Sequence, residues 1–209
     1  MSTAPRLTST SYAILGLLAI RPWTTYELAK QMDRAFSRFW PRARSKLYEE
    51  PKKLVAAGLA RAHDEPQGRR RRTVHTITPK GRRALASWLA VPPTAPVLES
   101  EVLLKVFLAE HGTRDDLLAS LAQARTWADE RRLEDAAVAR SYLTGGPFPE
   151  RRPQTVLVRR FLADFADLVH AWSVWAVEQV EAWPEDIASA DTDWATLVAV
   201  AERGRPDAG

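Results

Sequence analysis

The chain contains no cysteine among its 209 residues. That absence excludes disulfide scaffolds, thiolate metal sites and cysteine nucleophiles. Long hydrophobic runs are missing too. The longest, Tyr12 to Ile20, spans nine residues, whereas a membrane helix takes about 20. Arg21-Pro22-Trp23 follows it where a secretory leader would carry small residues, so a cytoplasmic protein with no membrane partner is expected. Glycine is scarce, with nine in all, and none falls in a phosphate-cradling spacing or a Gly-x-Ser-x-Gly elbow. The four histidines, His63, His75, His111 and His170, never recur three or four residues apart, so no helix presents two imidazoles to one metal. His63 and His75 are expected to face each other across a hairpin as an exposed pair. No catalytic residue, metal or cofactor is suggested, and an enzyme is the poorest of the function classes.

What is present is a globular balance, 45% apolar and 27% charged, with the charge divided unevenly along the chain. Residues 1–90 hold 18 Lys and Arg against 6 Asp and Glu, a net of +12, and residues 91–209 a net of −8. A basic half joined to an acidic half points the first half towards a polyanion. Arginine outnumbers lysine 24 to 6, a ratio that a GC-rich genome explains as well as phosphate recognition does.

The basic half reads as three helices, a hairpin and a fourth helix. Ser11 to about Ile20 is apolar nearly all round, as a buried core helix is, and Pro22 ends it. Thr24 and Glu27 have the spacing of a capping box, ahead of a stripe through Leu28, Ala29, Met32, Ala35, Phe36 and Phe39. The pattern breaks at Trp40-Pro41. A third helix is expected from Ser45, read as its N-cap. Leu47, Leu54, Val55 and Gly58 share one face, and Lys46, Tyr48, Glu49, Lys52 and Lys53 the other, with Arg42 and Arg44 just ahead. Such a face suits the major groove, where arginine can pair with guanine edges while lysine and backbone amides take phosphates. An ordinary solvated helix has the same pattern. Pro51, interior to it, is expected to kink it. Leu59 to Glu65 and Thr73 to Thr78 read as strands around a tip carrying Arg69, Arg70, Arg71 and Arg72. Four adjacent like charges are poor for folding and make sense against an anionic surface. Arg82 to Leu89 forms the next helix. This order is that of a winged helix-turn-helix.

In the acidic half, Val91 to Pro96 reads as a proline-rich linker. A short helix over 97–110 precedes a long one, capped by Thr113 and running to about Leu143, where Gly145-Gly146-Pro147 stops it. Gln154 to Trp183 is the next, and Asp193 to Arg203 the last, before a mobile tail. In the Gln154 helix, Phe161, Phe165, Leu168, Trp172 and Trp175 repeat at coiled-coil spacing, and Val158, Leu162, Val169, Ala176, Val180 and Trp183 form a second row. One row packs on its own chain and the other on a second copy, so Phe161, Phe165, Leu168, Trp172 and Trp175 are the dimerisation candidates. Trp127, Trp172 and Trp175 suit either an aromatic effector pocket or plain core and interface packing, and their spacing alone explains the second. The expected architecture is mostly α, with residues 1–90 a winged helix-turn-helix, 91–96 a linker, 97–185 an all-α dimerisation and effector domain, and 186–209 a short helix and tail.

The stretches Tyr12-Ala13-Ile14-Leu15-Gly16-Leu17-Leu18, Thr25-Tyr26-Glu27-Leu28-Ala29, Ser45-Lys46-Leu47-Tyr48 through Gly58-Leu59, Thr78-Pro79-Lys80-Gly81-Arg82 and Leu103 to Ala109 together resemble the two-domain PadR-like transcriptional regulators. The resemblance covers residues 10 to about 183. It implies a homodimeric bacterial regulator, usually a repressor, that binds double-stranded operator DNA and is released by a small hydrophobic or aromatic effector. Two departures stand out. Many members follow the Leu-Tyr pair with proline, where this chain has Glu49 and delays the proline to Pro51; many have glycine where it has Thr25. A winged-helix protein-interaction module and an effector-independent DNA-binding protein are the competing readings.

Overall fold

The computed structural model describes residues 7–67 and 70–203, without the side chains of Arg44, Gln67 and Arg70. The chain divides into two units at Pro96 and Val97.

The first unit contains α1 (Ser9–Ile20), β1 (Trp23–Thr24), α2 (Thr25–Phe36), α3 (Arg44–Ala56), β2 (Ala60–Gln67), β3 (Arg70–Ile77) and α4 (Pro79–Leu89). Helix α1 begins two residues earlier than its apolar pattern suggests, because Thr8 and Ser11 close a capping box that satisfies two orphan amides. Its wholly apolar character follows from its place: Ile14, Leu15, Leu17 and Leu18 are buried, and α1 packs against α2, α3, α4 and β3. The Thr24–Glu27 capping box opens α2 as expected. That helix stops at Phe36, short of Phe39.

One boundary near α3 differs from the sequence reading. The N-cap is Ala43, with no side-chain hydrogen bond, so Ser45 lies inside the first turn. Pro51 lies inside the helix, which continues to Ala56. Pro51 is fully buried, and packing offsets the hydrogen bond its ring removes. Helix α3 ends in a Schellman motif. Leu59 N–H donates to Leu54 and Gly58 N–H to Val55, each at 2.9 Å. Gly58 takes φ +71°, a conformation a side chain would disfavour.

The hairpin strands are longer than their alternation suggests. Gln67 pairs with Arg70, Pro66 with Arg71 and Glu65 with Arg72, so Arg70 to Arg72 belong to β3 and not to a tip. Pro66 is tolerated because β2 is an edge strand in the order β1-β3-β2. The two-residue strand β1, which pairs Trp23 with His75, gave no sequence signal. Helix α4 starts at Pro79, capped by Thr78, three residues before the expected Arg82. Proline at N1 removes only a donor the helix would not use.

The second unit contains α5 (Glu101–Phe107), α6 (Arg114–Leu143), α7 (Arg152–Glu181) and α8 (Trp194–Glu202). Residues 97–100 are irregular, so α5 is shorter than the expected 97–110. The 30-residue α6 and α7 pack along each other. Their direction is antiparallel: Asp129 meets His170, Arg132 meets Asp167, and Asp135 meets Arg159. Ala124 and Ala128 on α6, with Ala166 and Ser173 on α7, are buried, and these small side chains let the helices approach closely. Leu117, Leu121, Ala176 and Val180 form a core, with Val102, Val106, Trp172 and Trp183 against it.

Candidate nucleic-acid interface

Helix α3 is held by one face and free on the other. Leu47, Glu50, Pro51 and Leu54 are buried, at the i, i+3, i+4, i+7 spacing of an inward stripe. Glu50 escaped the sequence reading, since acids rarely occupy such a position; its place between Leu47 and Leu54 on the apolar face was the available signal. Its carboxylate accepts from Ser11 Oγ of α1 at 2.7 Å and from Lys53 Nζ at 3.0 Å. Ser11 in turn belongs to the α1 capping box, so one polar chain sets where α3 sits on α1.

The outer face presents Ser45, Lys46, Tyr48, Glu49, Lys52 and Lys53, all exposed. Lys46 and Lys52 reach solvent. The Lys53 ammonium is paired with Glu50, whose hydrogen bond raises the Lys53 pKa above its ordinary value. Ahead of the helix, Arg42 lies over the Trp40 ring at 4.3 Å and donates to the Pro41 carbonyl. Arg44 is the first residue of α3. Ala43 supplies no side-chain cap, and the Lys46 amide of the first turn donates to the Ala43 carbonyl at 3.0 Å; the helix dipole favours an anion at this end.

The wing is less uniformly cationic than its sequence. Glu65 Oε2 accepts from Arg72 Nε at 3.2 Å and Nη2 at 2.9 Å, while its other oxygen lies 3.0 Å from His63 Nε2. These partners, His63 first, hold the Glu65 carboxyl below its usual range. Thr73 donates to Asp64 at 2.9 Å. Arg71 is exposed. Arg70 lies in β3 by its backbone, and Arg69 lies outside the described residues. Exposed Arg61, Lys80, Arg82 and Arg83 add cations around the wing base, which the emphasis on the arginine run passed over.

His63 and His75 do not face each other. His75 pairs with Ala62 and His63 with Val74, so one residue of offset puts the two imidazoles on opposite sheet faces. His75 is buried, with Nε2 3.0 Å from Thr25 Oγ1 and no hydrogen-bond partner for Nδ1. Burial, reinforced by His63, pushes its pKa below 6.5. Among the described residues, no three His, Asp or Glu side chains are grouped to hold a metal.

In the second unit, Phe161, Leu168 and Trp175 of α7 are exposed, and Phe165 and Trp172 half-buried. Trp127 stands edge-on to Phe165 at 6.2 Å, and Trp172 packs on the α6–α7 core. A cleft of about 1070 Å³ lies elsewhere, between the C-terminal half of α6 and the N-terminal half of α7, and none of the three tryptophans lines it. No described helix is long and apolar enough to cross a membrane.

Residues 14–87 match the transcriptional regulator PadR-like family. Over 98 residues the chain is 30% identical to the negative transcriptional regulator PadR of Bacillus subtilis, covering 46% of this chain and 54% of that one. It is 34% identical over 88 residues to a probable transcriptional regulator of Mycobacterium tuberculosis, 41% of this chain and 47% of the other. The chain thus spans about half the length of the curated relatives it matches. The fold is similar to Bacillus subtilis PadR in complex with operator DNA, with TM-score 0.76 at 19% identity, covering 84% of this chain and 99% of that one. The same regulator in complex with p-coumaric acid matches with TM-score 0.68 at 18% identity, over 83% and 99% of the two chains.

Proposed function

We propose, from the premise that residues 14–87 are a PadR-like transcriptional-regulator domain, that the chain is a homodimeric repressor that grips operator DNA with α3 and the wing and releases it on binding a hydrophobic small molecule. The observation that carries this reading is the divided surface of α3. Its inner face is locked to α1 by Leu47, Glu50 and Leu54, while Lys46, Tyr48 and Lys52 stand free beside an arginine-bearing wing. Lys46, Tyr48 and Lys52, with Ser45, read bases in the major groove. Arg42, Arg44, Lys53 and the wing arginines Arg69 to Arg72 take phosphates. The likeness to a regulator solved on its operator supports the same docking. As a DNA-binding regulator the protein works in the cytoplasm, with residues 91–96 linking the DNA-binding unit to the dimerisation unit.

The exposed row Phe161, Leu168 and Trp175, with Phe165 and Trp172 beside it, supports dimerisation through α7, since a soluble helix seldom leaves such a row uncovered. Two recognition helices related by a two-fold read half-sites about 34 Å apart. Selection of bound fragments from random duplex DNA tests this: an inverted repeat with that spacing is the expected product, and sites without inverted symmetry refute the two-fold. Binding that ignores salt would favour a protein partner over DNA.

Release requires an effector that binds the DNA-incompetent dimer more tightly, and a tenfold loss of operator affinity takes about 1.4 kcal/mol of that difference. The p-coumaric acid complex of the similar fold supports an aromatic ligand, and Trp127, Trp172 and Trp175 are the candidate side chains to receive it. Titration with p-coumaric acid should quench tryptophan fluorescence and lower operator affinity over one concentration range. Trp172→Ala or Trp175→Ala should weaken that response and leave ligand-free DNA binding nearly intact; variants that unfold or become monomers refute the pocket.

A further inference from the structure

The wing leaves the first unit at a narrow root. Strand β3 is paired on both sides at Val74 and His75, where β1 supplies Thr24 and Trp23 as partners. Both residues are buried. Arg71, Arg72 and Thr73, further out, are exposed and lie where β3 pairs with β2 alone. Two strands by themselves are marginally stable in water, so the direction of this ribbon depends on how its root is seated. Strand β1 leads directly into α2: Thr24 is its N-cap. Thr25, the first residue of α2, meets His75 through Oγ1 and Nε2 at 3.0 Å.

We propose, resting on the DNA reading of the wing given above, that His75 is a positioning residue for that wing: its neutral imidazole pins β3 to the start of α2, and a proton on the ring releases the wing's grip on DNA while α3 keeps its own.

The surroundings of the ring carry this. His75 is 3% exposed, and among the described residues its Nδ1 has no hydrogen-bond partner. A neutral ring fits, with Nε2–H donating to Thr25 Oγ1 and Nδ1 left bare. An imidazolium carries a second N–H, which would be buried with nothing to receive it.

The elements packed on β3 are α1, α2, β1 and β2. Helix α1 and strand β1 hold no charged residue. Arg21, between them, lies over the Trp23 ring and is paired with Glu27. Glu27 of α2 is further engaged by Thr24, and Tyr26 and Lys30 are exposed. On β2, Asp64 shares the sheet face of His75, but it is exposed and accepts from Thr73. Arg61, His63 and Glu65 share the opposite face, and Glu65 is held by His63 and Arg72. Burial, and His63 after it, both favour the neutral ring. Helix α3 is fixed elsewhere, by buried Leu47 and Leu54 and by the Glu50 bond to Ser11 of α1. Unseating His75 therefore costs the wing's contacts and spares those of α3.

The full-length protein and its Arg71→Ala variant are titrated with labelled duplex over a range of salt, at about pH 7.5 and about pH 5, the span in which an imidazole changes charge. At the higher pH, Arg71→Ala should flatten the slope of log K against log salt by close to 0.9, one phosphate contact. At the lower pH it should change the slope by less than about half of that, because the wing has already let go. His75→Gln brings an amide N–H towards Thr25 and has no proton to gain, so in that background Arg71→Ala should cost its full slope at both pH values. Thr25→Val removes the acceptor and should give the acid behaviour already at the higher pH, and Thr25→Ser should restore the normal one. Lys46→Ala reports on α3 and should weaken binding at both. Equal slope changes for Arg71→Ala at the two pH values overturn the inference, as does an acid response that His75→Gln retains. Loss of the Lys46→Ala effect at the lower pH also overturns it, since His75 would then prop the whole unit. An Arg71→Ala variant without effect at the higher pH refutes the wing contact itself, and the inference with it.

Discussion

The wing arginines should not act alike on DNA, and the structure says which differ. Arg72 already donates twice to Glu65, whereas Arg71, on the opposite face of the strand, stands exposed. A cation that meets a phosphate only by leaving a carboxylate gains less, and it leaves that carboxylate facing the polyanion. One full phosphate contact changes the slope of log K against log salt by about 0.9. Across a fourfold salt range, from about 50 to 200 mM, that slope corresponds to roughly 3.5-fold in affinity. Arg71→Ala should therefore flatten the slope by close to 0.9 on any duplex, and Arg72→Ala by clearly less. Glu65→Gln removes the competitor without shortening the side chain. It should tighten binding to all sequences alike, and in that background Arg72→Ala should become as costly as Arg71→Ala. Fluorescence anisotropy titrations of labelled duplex at several salt concentrations give all the slopes needed. Equal slopes for Arg71→Ala and Arg72→Ala in the presence of Glu65, or weaker binding by Glu65→Gln, would refute the reasoning. If α3 reads bases as proposed, Glu65 would lower sequence-independent attraction and so raise the weight of those base contacts.

Three further outcomes follow from packed groups in the first unit. His75 has a folded pKa below 6.5 because it is buried; its contribution to stability is complete above 6.5 and is lost as pH falls through the folded value. Protection factors of peptides from residues 7–90, taken against intrinsic exchange rates at each pH, should therefore fall on acidification more in the unaltered protein than in His75→Gln, and equal acid sensitivity would count against it. Gly81 packs against the Leu59 carbonyl and Ile77, where a Cβ has no room; Gly81→Ala should cost about 1–3 kcal/mol, seen as faster exchange around α4 and β3, with no change telling against the packing. Ser11→Ala removes a hydrogen bond to the buried Glu50 carboxylate, an interaction typically worth about 1.5–3 kcal/mol; α3 should exchange faster and operator affinity should fall, whereas unaltered protection of α3 would deny the coupling.

Local signals decided much of this protein before any contact was known. Each of the caps Thr24 and Thr113 depends on a pairing three residues along the chain, so sequence alone carries it. The long helices α6 and α7 are legible for the same reason, because their period repeats over 30 residues each. The charge division is a matter of composition. What the tertiary structure decided lies where distant segments compete for one group. Whether Arg72 is free depends on its register with Glu65 seven residues back. Whether Glu50 faces water depends on Ser11, 39 residues away. The two-residue strand β1 exists only because β3 offers it a partner. Helix α3 survives Pro51 because burial offsets what the backbone loses. Helical periodicity is a property of neighbours, but the availability of a charge or an open carbonyl is settled by whichever surface reaches it first, and that is determined only once the chain has folded.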